Sequence, residues 1–437
     1  MKSHIDVVSG GIQVKTAGLR LHYGWIIMFL GMLTALGAHG FGRMSYTLIL
    51  PAMRDGLALT YTQAGLLGTG NFIGYMISAF CGGFIAAKYD SRYLMSFCLG
   101  IMGITMFLTG LAHSFQWAFA MRLATGLGHG GAYVPAMALG SVWFSRRYRG
   151  LATGIVSSGT GVGTMLGALL IPLLLTTFGA GGWRYAWFCL GGLLLVIGGV
   201  CLAFLRPRPE SIGLEPVGEI TAAEKKREIS AGSDSGSLQW RLIFRQKTVW
   251  HLGVIYFMFG FSYVIYLTFF AAYLKNEIGW TAARSSALWA YVGALNIFCG
   301  LIWGSVSDRL GRKYGAAMVY LLLSLSYLLF AFFKTTPAFY LSAFIFGLCY
   351  SGIPTVFAAA SGDYVGRRLA PAGLGFITLF FGIGQSIGPA VGGYIADQTH
   401  TFSWAFALAA AVSLVGLAGA LFLPRPHLPT GGNKPCA

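Results

Sequence analysis

Long apolar runs recur along the whole chain, and they constrain its fold more than any other feature. Each run is long enough to cross the hydrocarbon core of a bilayer as a helix. Spanning strands would instead show segments of about ten residues with alternating polarity. The sequence therefore predicts an all-α membrane protein with twelve transmembrane helices, at 24–50, 62–87, 94–113, 116–143, 150–178, 184–205, 249–274, 283–305, 314–333, 338–360, 370–394 and 402–423.

Charge supports this reading and orients the chain. Only 10% of the residues are charged, against about a quarter in soluble proteins. The net charge of +17 suggests a nucleic-acid partner, but most of the 30 Lys and Arg fall in loops and tails that share one side with residue 1. Basic loops mark the cytoplasmic side. We predict a multi-pass protein of a bacterial inner membrane, with both termini cytoplasmic and no nucleic-acid partner.

A polar stretch divides the apolar runs into six and six. Residues 206–248 are rich in charge, Gly, Ser and Pro, which is typical of a cytoplasmic linker. The predicted organisation is a cytoplasmic tail at 1–22, a first bundle at 23–205, a second bundle at 249–424 and a cytoplasmic tail at 425–437.

The two halves share landmarks at a constant offset of 221 residues, as from Gly163 to Gly384. The same offset relates Gly126 to Gly347, Gly167 to Gly388 and Trp183 to Trp404. Six spans per unit preserve orientation, so this is a parallel repeat about an axis along the membrane normal. Such repeats are typical of alternating-access transporters, with the substrate site between the halves near the midplane.

Three motifs carry a resemblance to the major facilitator superfamily. They are GSVSDRLGRKYG at 304–315, RLATGLG at 122–128 and GQSIGPAVGG at 384–393. The resemblance covers the whole chain. It implies two pseudo-symmetric six-helix bundles, with spans 1, 4, 7 and 10 lining a central cavity.

Two further stretches resemble particular branches of that superfamily. WFSRRYRGLATGIVSSGTGVG at 143–163 is similar to a signature of monocarboxylate transporters and oxalate/formate antiporters, and GFGRMSYTLILP at 40–51 is similar to a YbfB-type first span. Those transporters bind carboxylate through a span 8 arginine, where this chain offers Asn296 at mid-depth. The span 11 lysine of the antiporters is also missing, with Gln385 nearby.

Four basic or titratable residues lie deep in predicted spans. His39 and Arg43 are four residues apart in span 1, and Arg122 and His129 are seven apart in span 4, so each pair shares a helix face. Charge at mid-membrane is expensive and marks function by default. We predict that all four bind a small organic anion, most specifically a monocarboxylate. Alternatively, Arg122 braces its helix through backbone carbonyls and the histidines are satisfied interior groups.

The second half does not repeat this charge, since Val264 and Ala343 occupy the positions equivalent to the two arginines. Its contribution is predicted to be polar and aromatic instead. The remaining candidate substrate contacts are Tyr46, Tyr263, Tyr266, Asn296, Tyr350 and Gln385.

All 13 Asp and Glu fall in loops or tails. A buried carboxylate is a common proton carrier in transporters, and this chain offers none within its spans. A coupling proton would travel on the substrate or on His39 or His129, whose ordinary pKa near 6.5 suits the task. Exchange of two anions would need no proton on the protein.

The resemblance also implies a gate. Asp308, with Arg309, Arg312 and Lys313, would latch the halves at the start of span 5 when the inner side is closed, because a helix N-terminus attracts a carboxylate. Ala87 stands where the first-half copy of this aspartate would be. Gly388 and Pro389 are the gating candidates of span 11.

The predicted function is therefore a monomeric secondary transporter in the lipid bilayer, without metal or cofactor. The alternative in the same class is a drug or metabolite exporter, though the arginines disfavour cationic drugs. An enzyme is unsupported, because the sequence has neither H-E-x-x-H nor a P-loop, and its G-x-S-x-G match at 384–388 lies inside a span. A sensor or scaffold on this fold stays open.

Overall fold

The computed structural model describes residues 22–88, 90–144, 148–218, 246–365 and 370–424. Twelve helical rods occupy these ranges, in agreement with the predicted spans. They are α1 (Tyr23–Gly56), α2 (Tyr61–Lys88), α3 (Ser91–Gly110), α4 (Phe115–Trp143), α5 (Arg149–Phe178), α6 (Gly182–Phe204), α7 (Lys247–Asn276), α8 (Ala282–Leu310), α9 (Arg312–Phe332), α10 (Thr336–Cys349, continued by Gly352–Val365), α11 (Ala370–Thr399) and α12 (Ser403–Leu421).

Short polar connections begin several of these helices. The side chains of Asp90, Ser114 and Thr281 accept hydrogen bonds from the backbone at the starts of α3, α4 and α8. Such N-caps satisfy amides that have no partner inside the helix. By length and apolar composition alone, eight segments of the described chain qualify as membrane spans, or nine if the bent α8 is included. One of these segments, Leu151–Phe204, extends through both α5 and α6.

The repeat is visible in the packing of glycines. A Cβ on Gly163 of α5 would lie 2.5 Å from the carbonyl oxygen of Leu36 in α1, and one on Gly384 of α11 would lie 2.5 Å from that of Phe257 in α7. The partners, like the glycines, are 221 positions apart. Small residues let membrane helices approach closely, so the two bundles use the same close contact at equivalent places.

The halves meet along α2 with α11 and α5 with α8, and side chains of α1 also contact α7. A Cβ on Gly65 would lie 2.1 Å from the carbonyl oxygen of Pro389, and one on Gly161 would lie 2.8 Å from that of Gly293. In both pairs the glycines bring helix backbones of opposite halves into contact.

At the end that the charge pattern assigns to the outside, polar contacts tie the halves together. Lys275 of α7 pairs with Asp55 of α1 at 2.9 Å. Asp397 of α11 accepts hydrogen bonds from the backbone amides of Tyr61 (2.9 Å) and Thr62 (2.7 Å) at the start of α2. The space between the halves is therefore closed on this side, which we call the outer latch (Asp55, Tyr61, Thr62, Lys275 and Asp397).

The proposed tails and linker are described only in part. Of the linker, 206–218 and 246–248 are described, and Val217 donates its amide to the carbonyl of Trp143 at 2.9 Å. This contact holds the beginning of the linker against the inner end of the first half. Residues 1–21 and 425–437 lie outside the described ranges, as do the arginine pairs at 146–147 and 367–368.

Candidate functional site

The centre of α1 is a π-helix, Leu36–Met44, which contains both His39 and Arg43. Its wider turn is seen where the amide of Ser45 donates to the carbonyl of Gly40, five residues earlier, at 3.1 Å. Short π-helical segments inside α-helices occur frequently at functional sites. This glycine-rich segment, called the π-turn below, carries Arg43 into the protein interior.

Arg43 lies between the two halves and is 4% exposed. Its guanidinium donates to the hydroxyl of Tyr263 in α7 and to Oε1 of Gln385 in α11, the latter at 2.5 Å. It also lies over the ring of Phe72 in α2, 4.4 Å from the centroid. Within the described ranges both hydrogen-bond partners of this cation are neutral, so its charge is not balanced by a carboxylate.

The second half contributes an aromatic and amide wall beside Arg43. The ring of Tyr263 stacks with those of Phe381, at 5.9 Å between centroids, and Tyr350, at 6.4 Å. Asn296 donates to the hydroxyl of Tyr350 at 3.0 Å and accepts from that of Ser351 at 2.7 Å. The predicted contacts Tyr263, Asn296, Tyr350 and Gln385 are thus brought together.

Arg122 has a different environment. Its Nη1 donates to the carbonyl of Gly42 in the π-turn at 3.1 Å, and its guanidinium lies over the rings of Tyr46 (4.6 Å) and Trp187 (5.2 Å). These contacts match the bracing alternative for this residue. Its role as a contact of the anion stays a prediction.

Two predicted tyrosine contacts are also placed elsewhere. The hydroxyl of Tyr46 donates to the carbonyl of Ala64 at 2.6 Å, and its ring packs under Arg122 instead of orienting Arg43. Tyr266 lies inside the second bundle, where its hydroxyl meets that of Ser342 at 2.9 Å. Sequence spacing put both on promising helices but could not show which way their rings turn.

The two histidines do come together. The ring centroids of His39 and His129 are 5.0 Å apart, and His39 lies 4.9 Å from the ring of Tyr133. The ring of Tyr75 is 4.7 Å from that of His129. We call His39, Tyr75, His129 and Tyr133 the histidine cluster.

The predicted inner latch lies at the junction of α8 and α9. Arg312 donates to Asp308 at 2.6 Å and to Asp363 of α10 at 2.7 Å, all within the second half. The side chain of Asp308 is 65% exposed. Arg309 is exposed, and Lys313 lies over a neighbouring tyrosine ring. Asp308 makes no contact with a described residue of the first half in this arrangement, and the latch stays a prediction.

Gly388 and Pro389 lie in the packed part of α11. A Cβ on Gly388 would lie 2.5 Å from Cγ1 of Val264 in α7, while the carbonyl of Pro389 faces Gly65 in α2. Both residues thus lie where α11 touches its own half and the opposite one. Their gating role stays a prediction.

Several residues of the site were missed from the sequence. Tyr133 follows His129 by four residues, so helix periodicity could have placed it on the same face. Phe72, Tyr75 and Trp187 gave no such signal, because they reach the arginines and histidines only through the packing of α2 and α6.

Comparison with known proteins places this geometry in a family. The model of the Major Facilitator Superfamily matches residues 32–333 and 252–435. The chain is 25% identical to the probable sulfoacetate transporter SauU of Cupriavidus necator, over 87% of this chain and 89% of the relative. It is 25% identical to the hexuronate transporter of Bacillus subtilis, over 88% and 91%, and 26% identical to monocarboxylate transporter 12 of Homo sapiens, over 70% and 61%.

Solved structures share the fold. A bacterial homolog of the human lysosomal transporter Spinster superimposes with a TM-score of 0.69 at 19% identity, covering 93% of this chain and 95% of that one. The nucleoside transporter NupG superimposes with a TM-score of 0.71 at 13% identity, covering 91% and 99%. The all-helical fold predicted from the sequence is thereby confirmed.

Proposed function

The chain belongs to the Major Facilitator Superfamily, a family of transporters and not of enzymes, and from that premise we propose that it carries a small organic anion with Arg43 as the anion receptor. Its proposed substrate is a monocarboxylate, moved across a bacterial inner membrane by a monomer whose termini are cytoplasmic. Proton symport and anion exchange are the two coupling modes considered for it.

The observation that carries this proposal is the unbalanced charge of Arg43. A charged side chain at mid-membrane costs several kcal/mol, and its described partners, Tyr263 and Gln385, are neutral. Its Nε has no hydrogen-bond partner among the described residues. An anion bound here would supply the missing charge, and the planar guanidinium matches the geometry of a carboxylate.

Three donor groups converge at this place. Besides the guanidinium of Arg43, the hydroxyl of Tyr263 can turn to donate, and Nε2 of Gln385 is buried without a partner among the described residues. A carboxylate would take over the role of acceptor that the Gln385 amide oxygen now has. Charged acceptors make the stronger hydrogen bonds, which favours this exchange of partners.

The donors come from both halves, which is what alternating access requires. Arg43 belongs to the first bundle, and Tyr263 and Gln385 belong to the second. A bound anion therefore links the bundles at their centre, while the outer latch closes one side. Opening that latch and closing the other side would expose the same donors to the opposite solution.

The relatives support the substrate class. Two of them are named for sulfoacetate and hexuronate, which are organic anions, and a third is a monocarboxylate transporter. In this chain the wall of Tyr350, Asn296 and Ser351 beside Arg43 offers hydroxyl and amide groups. Such a wall suits a short carboxylate that carries hydroxyl or keto groups.

Counterflow in proteoliposomes tests the proposal. Vesicles loaded with L-lactate, D-glucuronate or sulfoacetate should accumulate the labelled form of at least one of them. Arg43→Gln should abolish counterflow, whereas Arg284→Gln, which removes an exposed arginine at the outer end of α8, should preserve it. Counterflow of a cationic drug in place of all three anions would favour the exporter reading, and ligand binding without any counterflow would favour a sensor.

A further inference from the structure

We infer that His39 and His129 form a single proton site, which is filled when an organic anion binds at Arg43. The inference rests on the proposed function and chooses between its two coupling modes. It makes the protein an anion–proton symporter, with the proton carried on the histidines of the first bundle.

The two histidine rings are in contact, and they carry nitrogens that have no partner among the described residues. The two rings come from neighbouring helices, α1 and α4, with centroids 5.0 Å apart and planes 80° apart, so the edge of one ring meets the other. His129 is 1% exposed. Both of its nitrogens, and Nδ1 of His39, have no hydrogen-bond partner among the described residues. Buried polar atoms are normally paired, so nitrogens in this condition call for an explanation.

Tyr75 connects the pair to the anion receptor. Its ring centroid is 4.7 Å from that of His129 and 5.7 Å from the guanidinium carbon of Arg43. His39 and Tyr133 are half-buried, so a proton can reach the pair from the space between the halves. Tyr75 thus lies between the proposed proton site and the proposed anion receptor.

The surroundings of the pair are basic or neutral. Its charged or titratable neighbours among the described residues are Arg43 of α1, Tyr75 of α2, and Arg122 and Tyr133 of α4. None of these four is a carboxylate. Tyrosines are neutral near pH 7. A proton on either histidine would therefore add a third positive charge to two buried arginines.

This arrangement links the two binding events. With no anion bound, burial and the nearby arginines both oppose a proton on the pair, because the charged ring would lose its hydration and meet like charge. An anion at Arg43 removes one unit of positive charge and lets the pair take a proton. Linkage is reciprocal, so a proton on the pair must also strengthen binding of the anion.

The same repulsion sets the stoichiometry. Two imidazolium rings at this separation would repel each other as well as the arginines, so the pair takes one proton and not two. A monocarboxylate and one proton together leave the net charge of the site unchanged. Transport of the two is then electroneutral.

Wild-type protein tests this without any substitution. L-lactate or D-glucuronate, whichever binds, is added to detergent-solubilised protein in weak buffer with a pH-indicator dye. We expect about one proton taken up per anion bound near pH 7, and roughly tenfold tighter binding for each unit of pH lowered from about 8 to 6. Binding with no proton uptake would overturn the inference and leave anion transport intact. No binding of either acid would overturn both.

Two variants locate the proton. In His39→Gln and in His129→Gln, the proton uptake per bound anion and the pH dependence of anion binding should be reduced or lost. His113→Gln is the matched control, because His113 is exposed in the outer loop before α4. Unchanged proton uptake in both pair variants would overturn the assignment to these histidines.

Discussion

At the scale of single residues, the two intramembrane arginines have different contacts although the sequence presents them alike. Each lies on a face shared with a histidine, and spacing alone predicts that both bind the anion. The structure separates them by their partners: Arg43 contacts side chains of the opposite half, and Arg122 contacts the backbone of Gly42 and two rings of its own half. Depth in the membrane follows from the sequence, but the direction of a guanidinium depends on long-range packing.

Substitution of Arg122 should act through stability. Arg122→Gln loses a charge-assisted hydrogen bond and contacts with two rings, which should cost roughly 2 kcal/mol. Arg122→Lys keeps the charge and should lose less. Thermal unfolding in detergent should show a lower Tm for Arg122→Gln than for wild type, with binding of the acid retained. An unchanged Tm in Arg122→Gln, with anion binding lost, would make Arg122 a substrate ligand.

At the scale of helices, the bounds of the spans were well predicted, because apolar run length reports them directly. Four helices extend five or six residues past their predicted ends: α1 to Gly56, α8 to Leu310, α10 to Val365 and α11 to Thr399. The π-turn in α1 was not predicted, since glycine content does not reveal hydrogen-bond register.

The outer latch was missed because Asp55, Lys275 and Asp397 lie on three helices far apart in sequence. The inner latch on Asp308 concerns the state in which the inner side is closed, and it stays a prediction.

The carboxylate of Asp397 should favour the outer-closed state. Asp397→Asn weakens its interaction with the amides and N-terminus of α2 by about 1 kcal/mol, and so should shift the gating equilibrium about fivefold. Thr47 is fully buried on the outer side of the site, where it bonds the Leu267 carbonyl of the other half. A cysteine at position 47 should therefore react about fivefold faster with an impermeant thiol reagent added outside.

Glu277→Gln supplies the control for this test. Glu277 accepts hydrogen bonds from Thr401 and Phe402 at the start of α12, within one half. Its substitution should leave the labelling rate at position 47 unchanged. Equal effects of the two substitutions would show that Asp397 contributes general stability and not a gate.

At the scale of the whole molecule, most of the architecture could be predicted from the repeat and the charge pattern. The offset of 221 residues predicted paired bundles, and equivalent close contacts at Gly163 and Gly384 reproduce it. Which residues of the two bundles meet at the centre could not be predicted, because the second half has no charge at the positions equivalent to Arg43 and Arg122. Only contacts across the halves assigned Tyr263 and Gln385 to Arg43.

Topology makes a prediction for the intact protein. Cys436, and a cysteine placed at Ser233, lie outside the described residues, in the tail and linker that the charge pattern assigns to the cytoplasm. In a background without the other cysteines, an impermeant thiol reagent should label both in inside-out vesicles and neither in intact cells. Labelling of either position in intact cells would reverse the assigned orientation.

The central claim is that Arg43 recognises a negative charge, and paired ligands test it most directly. Binding of D-glucuronate and D-glucuronamide, and of L-lactate and L-lactamide, is measured on wild type and on Arg43→Gln. We expect wild type to bind at least one acid about tenfold or more tightly than its amide, because the amide cannot form charge-assisted hydrogen bonds. Arg43→Gln should bind acid and amide almost equally. Equal binding of acid and amide by wild type, or full discrimination retained in Arg43→Gln, would contradict the account.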